Sequence, residues 1–193
     1  RAPGPTFCAG ADLGWMRRAS GASREASEAD ALALSGMLRK LSLLPCATVA
    51  LVQGNAFGGG VGLISACDIA VGVRSASFAL SEARLGLIPA TIAPYVVGRI
   101  TAAQARRYFL TAERFDAERA GRIGLLHEVV KSADELDGWA ARFEDALRHA
   151  APSAVVASKD LIRLVDDAPV DEALRKETAR RLSAQRASPE RRE

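Results

Sequence analysis

The chain of 193 residues carries 26 Lys and Arg against 23 Asp and Glu, a formal net charge of +3, and is 49% hydrophobic. That supports one core of ordinary size and excludes disordered and fibrous classes. The pI of about 9.0 comes from a small basic excess interleaved with acids along helices, so it is no nucleic-acid footprint, although a mild positive balance helps an anionic substrate approach.

In chain order, GPTFCAGADLGWM (residues 4–16) reads as a small-residue turn. Leu34, Met37, Leu38, Leu41 and Leu44 recur at helical spacing, so residues 25–43 read as an amphipathic helix ending before Pro45. Residues 47–52 and 68–73 are short strands too apolar to keep one wet face, and the helix between them, residues 59–66, makes the right-handed crossover of parallel neighbours. Residues 78–80 are a further strand candidate. Beyond Ala90 the pattern turns helical over residues 90–100, 101–110, 116–123, 134–150, 153–166 and 170–187, with a polar, basic tail at 183–193 expected to fray. No repeat or low-complexity linker divides the chain, which reads as one α/β unit with a helical C-terminal layer.

The most informative stretch is GNAFGGGVGLISACDIAVGVRSASFALSE, residues 54–82. Glycines after a strand admit a ligand close to the backbone, and the N–H groups of a helix start favour negative charge. A phosphate loop would need Lys-Ser/Thr after Gly60, and a dinucleotide fingerprint would need GxGxxG; neither is present. The triplet Gly58, Gly59, Gly60 alone equally suits a close helix–strand packing turn. The second glycine turn near the start shifts the balance. Two separated turns, each offering one N–H, suit a thioester carbonyl that becomes an enolate oxyanion.

Cys8, Cys46 and Cys67 form no CxxC pair, and His127 and His149 have no ligand spacing, so a metal site is unsupported and reduced thiols in a cytoplasmic setting are expected. No apolar stretch reaches membrane-spanning length, and no basic-then-apolar leader is present.

FCAGADL (residues 7–13), GNAFGGGVGLISACDIAV (54–71) and SFALSEARLGLIPA (77–90), in that order and spacing, resemble the crotonase, or enoyl-CoA hydratase/isomerase, superfamily, and TAERFDAERAGRIGLLHEVV (111–130) extends the match. LSEARLGLIPATIAPYVV (80–97) is most similar to bacterial methylglutaconyl-CoA hydratases of branched-chain catabolism and their isoprenoid-pathway relatives. The resemblance implies an α/β, crotonase-like (ClpP/crotonase) spiral of ββα units with a helical C-terminal trimerisation layer. Residues 1–133 would be the core and residues 134–193 the oligomerisation region of a homotrimer or dimer of trimers. Family members extend further at the N-terminus, with early strands of the sheet, so the chain, opening at Arg1, looks like a fragment of such a protein.

By position in these motifs, the oxyanion-hole amides are Ala11 and Gly59, and the loop carrying Ala9, Ala11, Asp12 and Leu13 borders the bent coenzyme A. Asp12 also suits a helix-cap carboxylate. Coenzyme A enters as part of the substrate, with no permanently bound cofactor. Family hydratases with two glutamates carry one in the helix after the triplet and one at the position of Glu82. Here Glu82 is present and Gly62 stands at the first site. Phe78, Ala79, Leu80, Leu85 and Leu87 give Glu82 an apolar setting that raises its pKa toward the operating pH. Arg84 and Arg99, with Tyr95, are the donors nearest these motifs for a second substrate carboxylate, and they stay outside the candidate set.

Three functions follow. A hydratase would add water to a 2-enoyl-CoA, another group orienting the water. An enoyl-CoA isomerase would need only one shuttling base. A non-catalytic acyl-CoA-binding homologue is the third. The similarity of residues 79–97 favours hydration.

Overall fold

A computed structural model describes residues 1–12, 14–15 and 21–188. They fall into two compact units, Arg1–Leu44 with Thr48–Trp139, and Pro45–Ala47 with Ala140–Glu193. The division lies inside the helix Ala133–Arg148.

The first unit is built on two small sheets. Strands β1 (Thr6–Cys8), β3 (Asn55–Phe57), β5 (Ser77–Ala79) and β6 (Phe115–Asp116) are hydrogen-bonded in that order. The first three run parallel and β6 is antiparallel to β5. Strands β2 (Val49–Val52), β4 (Ile69–Val73) and β7 (Glu128–Val130) form a wholly parallel second sheet, with Val49 opposite Ile69 and Val71 opposite Glu128. From β1 to β5, consecutive strands therefore alternate between sheets. After β2, β3 and helix α2 (Gly59–Ala66), β4 returns beside β2 and β5 beside β3, so each ββα turn repeats the one before.

Local chemistry sets these elements. Helix α1 (Arg24–Ser42) is capped by Ser23, whose Oγ accepts from Ala26 N at 3.2 Å, and it carries Glu25 in its first turn and Arg39 and Lys40 in its last. Helix α2 is apolar all round, with Val61, Ile64 and Ala66 in the core. The β2–β4 register is clasped at its start by Asp68, whose Oδ2 accepts from both Thr48 N and Thr48 Oγ1 at 2.7 Å. Phe78, Tyr108 and Phe115 form an aromatic cluster, with the Phe78–Phe115 centroids 5.7 Å and the Tyr108–Phe115 centroids 4.3 Å apart. Arg99 is a structural residue: it donates to the carbonyls of Asp68 at 3.0 Å and of Cys67 and Leu125 at 3.3 Å.

Helix α3 (Ala93–Thr111) is kinked at Thr101, with φ 69° and ψ 155°, so the expected pair of helices meeting at that residue is present. The kink lets Ile100, Ala105 and Tyr108 all reach the core. Helices α4 (Ala117–Arg122) and α5 (Ala133–Arg148) follow. Strands β1, β3, β6 and β7 were not legible as strands, being two or three residues each.

The second unit holds the remainder of α5 with α6 (Pro152–Val165) and α7 (Glu172–Arg186). Gln185 Nε2 donates to Ser153 Oγ at 3.0 Å between α6 and α7, and no residue of either helix is buried. No helix among the described residues is long and apolar enough to cross a membrane.

The backbone of Thr101 occupies a region that is essentially glycine-only, at a strain of about 1–3 kcal/mol. Thr101→Gly is expected to raise stability by about 1 kcal/mol after glycine's greater unfolded-chain entropy is subtracted. Urea unfolding midpoints test this; a lower midpoint for the variant contradicts it.

Candidate active site

Because β1, β3 and β5 run parallel and adjacent, the turns after their C-terminal ends open at one edge, where open α/β sheets bind ligands. The first turn carries Ala9, Gly10 and Ala11, the second Gly58 to Gly60, and the third Leu80 to Glu82. They are closely packed. A Cβ built on Gly60 would lie 2.8 Å from both Cys8 Cβ and Cys8 O, and one on Gly10 would lie 3.3 Å from Phe57 O. Gly58 N donates to Ala79 O at 2.9 Å, tying the second turn to the third.

Gly59 opens α2, so its N–H has no intrahelical acceptor. Gly58 makes the turn possible: its φ is +48°, and a Cβ there would stand 2.9 Å from Glu82 Oε1. The glutamate therefore packs against bare backbone just before the helix start.

Ala9, Ala11, Gly59 and Glu82 line one cleft of about 430 Å³. Its walls are largely hydrocarbon, including Leu34 and Met37 from α1, Leu63 from α2, and Leu87, Ile88 and Ile92 ahead of α3. Asp12 does not line it; Asp12 Oδ1 accepts from Trp15 N at 2.6 Å, the capping arrangement. Leu13 lies outside the described residues.

Glu82 begins a short 3₁₀ turn, Glu82–Leu85, and is half-buried. Its Oε2 is shielded from solvent and has no hydrogen-bond partner among the described residues. Burial pushes the carboxyl above the ordinary glutamate range, partly opposed by a hydrogen bond from its own backbone N–H. The apolar setting expected for this residue is present.

A Cβ at Gly62 would overlap the Ile92 side chain, coming within 2.7 Å of Ile92 Cβ. A second carboxylate is thus absent from that position, and its space is filled by a residue only 2% exposed. Neither Arg84, Arg99 nor Tyr95 lines the cleft, and no Lys or Arg does so among the described residues. No three His, Cys, Asp or Glu side chains among the described residues are grouped to hold a metal.

Leu85 and Leu87, expected around Glu82, do line the cleft, whereas the walls contributed by α1 and by Ile88 to Ile92 were not legible in the sequence. Their signal was present as apolar side chains that stay exposed, such as Leu34 at 39% and Met37 at 42%. At helical spacing they are indistinguishable from a packing face.

A family model described as enoyl-CoA hydratase/isomerase matches residues 3–190. The enoyl-CoA hydratase ACTT6 of Alternaria alternata is 36% identical over 168 residues, 87% of this chain and 54% of that protein. A carnitinyl-CoA dehydratase of Escherichia coli is 36% identical over 165 residues, 84% of this chain and 62% of that protein. Among solved structures, an enoyl-CoA hydratase from Shewanella pealeana superposes with a TM-score of 0.94 at 43% identity, over 98% of this chain and 70% of that one. AtuE of Pseudomonas aeruginosa gives 0.93 at 38% identity, over 97% and 72%. The fold is thus the crotonase fold of these enzymes. The chain spans 54% and 62% of the length of the two curated relatives.

Gly58→Ala places a Cβ both at positive φ and against Glu82, so it is expected to destabilise by about 1–3 kcal/mol. Adding Glu82→Ala removes the clash but not the backbone strain. In a double-mutant cycle by chemical denaturation the two changes should be less than additive by about 0.5 kcal/mol or more; strict additivity would show that the side chain and Gly58 do not touch.

Proposed function

The chain belongs to the enoyl-CoA hydratase/isomerase family, and from that premise we propose that it adds water across the double bond of a 2-enoyl-CoA thioester. The thioester oxygen sits against the main-chain N–H groups of Ala11 and Gly59, where the charge of an enolate is shared between two donors, one of them at a helix start. The observation that carries the reading is Glu82: a carboxyl with one oxygen shielded and unpartnered, beside these turns in a hydrocarbon-walled cleft.

One carboxylate suffices for the proton. As the water oxygen bonds to Cβ, the carboxylate takes a water proton and the C=C pair moves into the thioester as the enolate. Glu82 then returns that proton to Cα, giving the 3-hydroxyacyl-CoA and the original carboxylate. Addition from one side makes it syn.

The similarity of residues 80–97 to methylglutaconyl-CoA hydratases supports a methylglutaconyl or related branched acyl group. Coenzyme A arrives as part of the substrate, bordered by the loop of residues 9–13, and no cofactor is permanently bound. The unburied helices α6 and α7, with Ile162, Val165 and Leu182 exposed, support assembly into trimers or dimers of trimers. Cys8, Cys46 and Cys67 are thiols rather than disulfide halves, which supports a reducing, cytoplasmic setting.

Double-bond isomerisation is the second reading, favoured by Ile92 filling the space over Gly62, because a lone shuttling base is all it needs. Side-by-side assays of a 2-enoyl-CoA and a 3-enoyl-CoA separate the two, since only hydration yields a 3-hydroxyacyl product.

Glu82→Gln should lower turnover by at least about 100-fold while acyl-CoA binding by calorimetry persists; unchanged turnover would remove the proposal. The basic form of Glu82 accepts the water proton, so kcat/KM should fall as pH drops through its raised pKa. That limb should lie above the value of about 4.3 for an exposed glutamate. Stability follows the same group. With the folded pKa raised, its stabilising contribution is complete below the unfolded pKa and is lost as pH rises through the folded one. Glu82→Gln should therefore melt no lower than wild type at neutral pH in calorimetric scans.

A further inference from the structure

Hydration needs more than a proton carrier, because the attacking oxygen must also be held over the β carbon. Among the described residues lining the cleft, the side chains with a polar group are Cys8, Trp15, Ser81, Glu82 and Thr91. The Cys8 backbone and Cβ lie close under Gly60, on the amide side, and a thiol is a weak hydrogen-bond partner. The Trp15 indole only donates and cannot accept from a water that must give up a proton to its neighbours. Ser81 immediately precedes Glu82 on the same turn, so it does not supply a second, separate direction.

Thr91 differs in position. It comes from the segment ahead of α3 and is followed directly by Ile92, whose side chain occupies the space where a group on residue 62 would begin. Its half-buried side chain makes no hydrogen bond among the described residues, although it faces the cleft that holds the Glu82 carboxyl. It is thus the hydroxyl on the wall where a second carboxylate has no room.

We propose that Thr91 is the water-positioning residue of this site: Oγ1 accepts a hydrogen bond from one O–H of the water while Glu82 takes the other proton. Thr91 exchanges no proton and forms no covalent bond; the step balances as hydration through Glu82 alone. The inference rests on the hydratase reading and supplies the group that reading needs.

The test compares wild type, Thr91→Val and Thr91→Ser in two assays. One is hydration of crotonyl-CoA. The other is exchange of the α-hydrogens of butyryl-CoA with D2O, followed by mass spectrometry, which needs Glu82 and the two amides but no positioned water. Thr91→Val should lose about 10- to 100-fold in hydration kcat with KM changed by less than about threefold, and should keep exchange within about threefold of wild type. Thr91→Ser should recover hydration to within about threefold, since the hydroxyl is restored. Undiminished hydration in Thr91→Val overturns the proposal, as does parallel loss of hydration and exchange, which would mark a purely structural role. A wild type that exchanges α-hydrogens without hydrating overturns the hydratase reading itself, and this inference with it.

Discussion

Strands β1, β3 and β5 run in one direction and are hydrogen-bonded in that order, so the turns that follow them must open side by side. Everything at the site depends on that pairing. Ala11, Gly59 and Glu82 are separated by tens of residues in the chain, yet each stands within three residues of the end of its strand. The contacts are tight enough to leave no room for error: a methyl group on Gly60 would strike Cys8, and one on Gly58 would strike Glu82. Backbone approaches backbone here because side chains have been removed from the places where the turns meet.

A charge environment follows from the same packing. Glu82 is carried into a hydrocarbon-walled cleft with one oxygen shielded and unpartnered, and burial raises its pKa. Glu177, on the exposed helix α7, shows the opposite case. Hydrogen bonds from Arg180 and Arg181 hold its carboxyl at about 2. The paired glutamate is locked as a carboxylate and cannot exchange protons near neutrality. The unpaired one is less comfortable when charged and better suited to taking up a proton and releasing it.

How much of this could be read from the residues depends on the range of the interaction. The bounds of α2 at 59–66 and the parallel pairing of the strands on either side of it were legible, because glycine punctuation and continuous apolar runs are local signals. The kink between residues 100 and 102 was legible as a boundary between two helical patterns. Strands β1 and β3 were not, since three residues carry no periodicity; only their hydrogen-bonded neighbours make them strands. The roles proposed for Glu82 and the two amides rest on the order of three motifs, with geometry then supplying the shared cleft. Arg99 illustrates the limit on charged residues. Nothing local marks it as the ligand of three backbone carbonyls rather than a cation free for a substrate.

The pair Gly62 and Ile92 was the least visible, because it is a steric relation between a buried helix and a segment 30 positions later. Seen alone, Gly62 is a missing acid. Seen with Ile92, it is one half of an exchange in which the volume left by a small residue on α2 is taken by a large one ahead of α3. Interiors are close-packed, so such volumes are conserved across the contact and not at either position separately. A carboxylate on this part of α2 would need a small residue at 92, and an isoleucine at 92 needs a glycine at 62. Under the proposed reading the chemistry of the cleft follows from a packing choice: hydrocarbon on one wall leaves a single carboxylate among the described residues on the other, and water is oriented by neutral groups whose hydrogen bonds cost less to bury than a second charge.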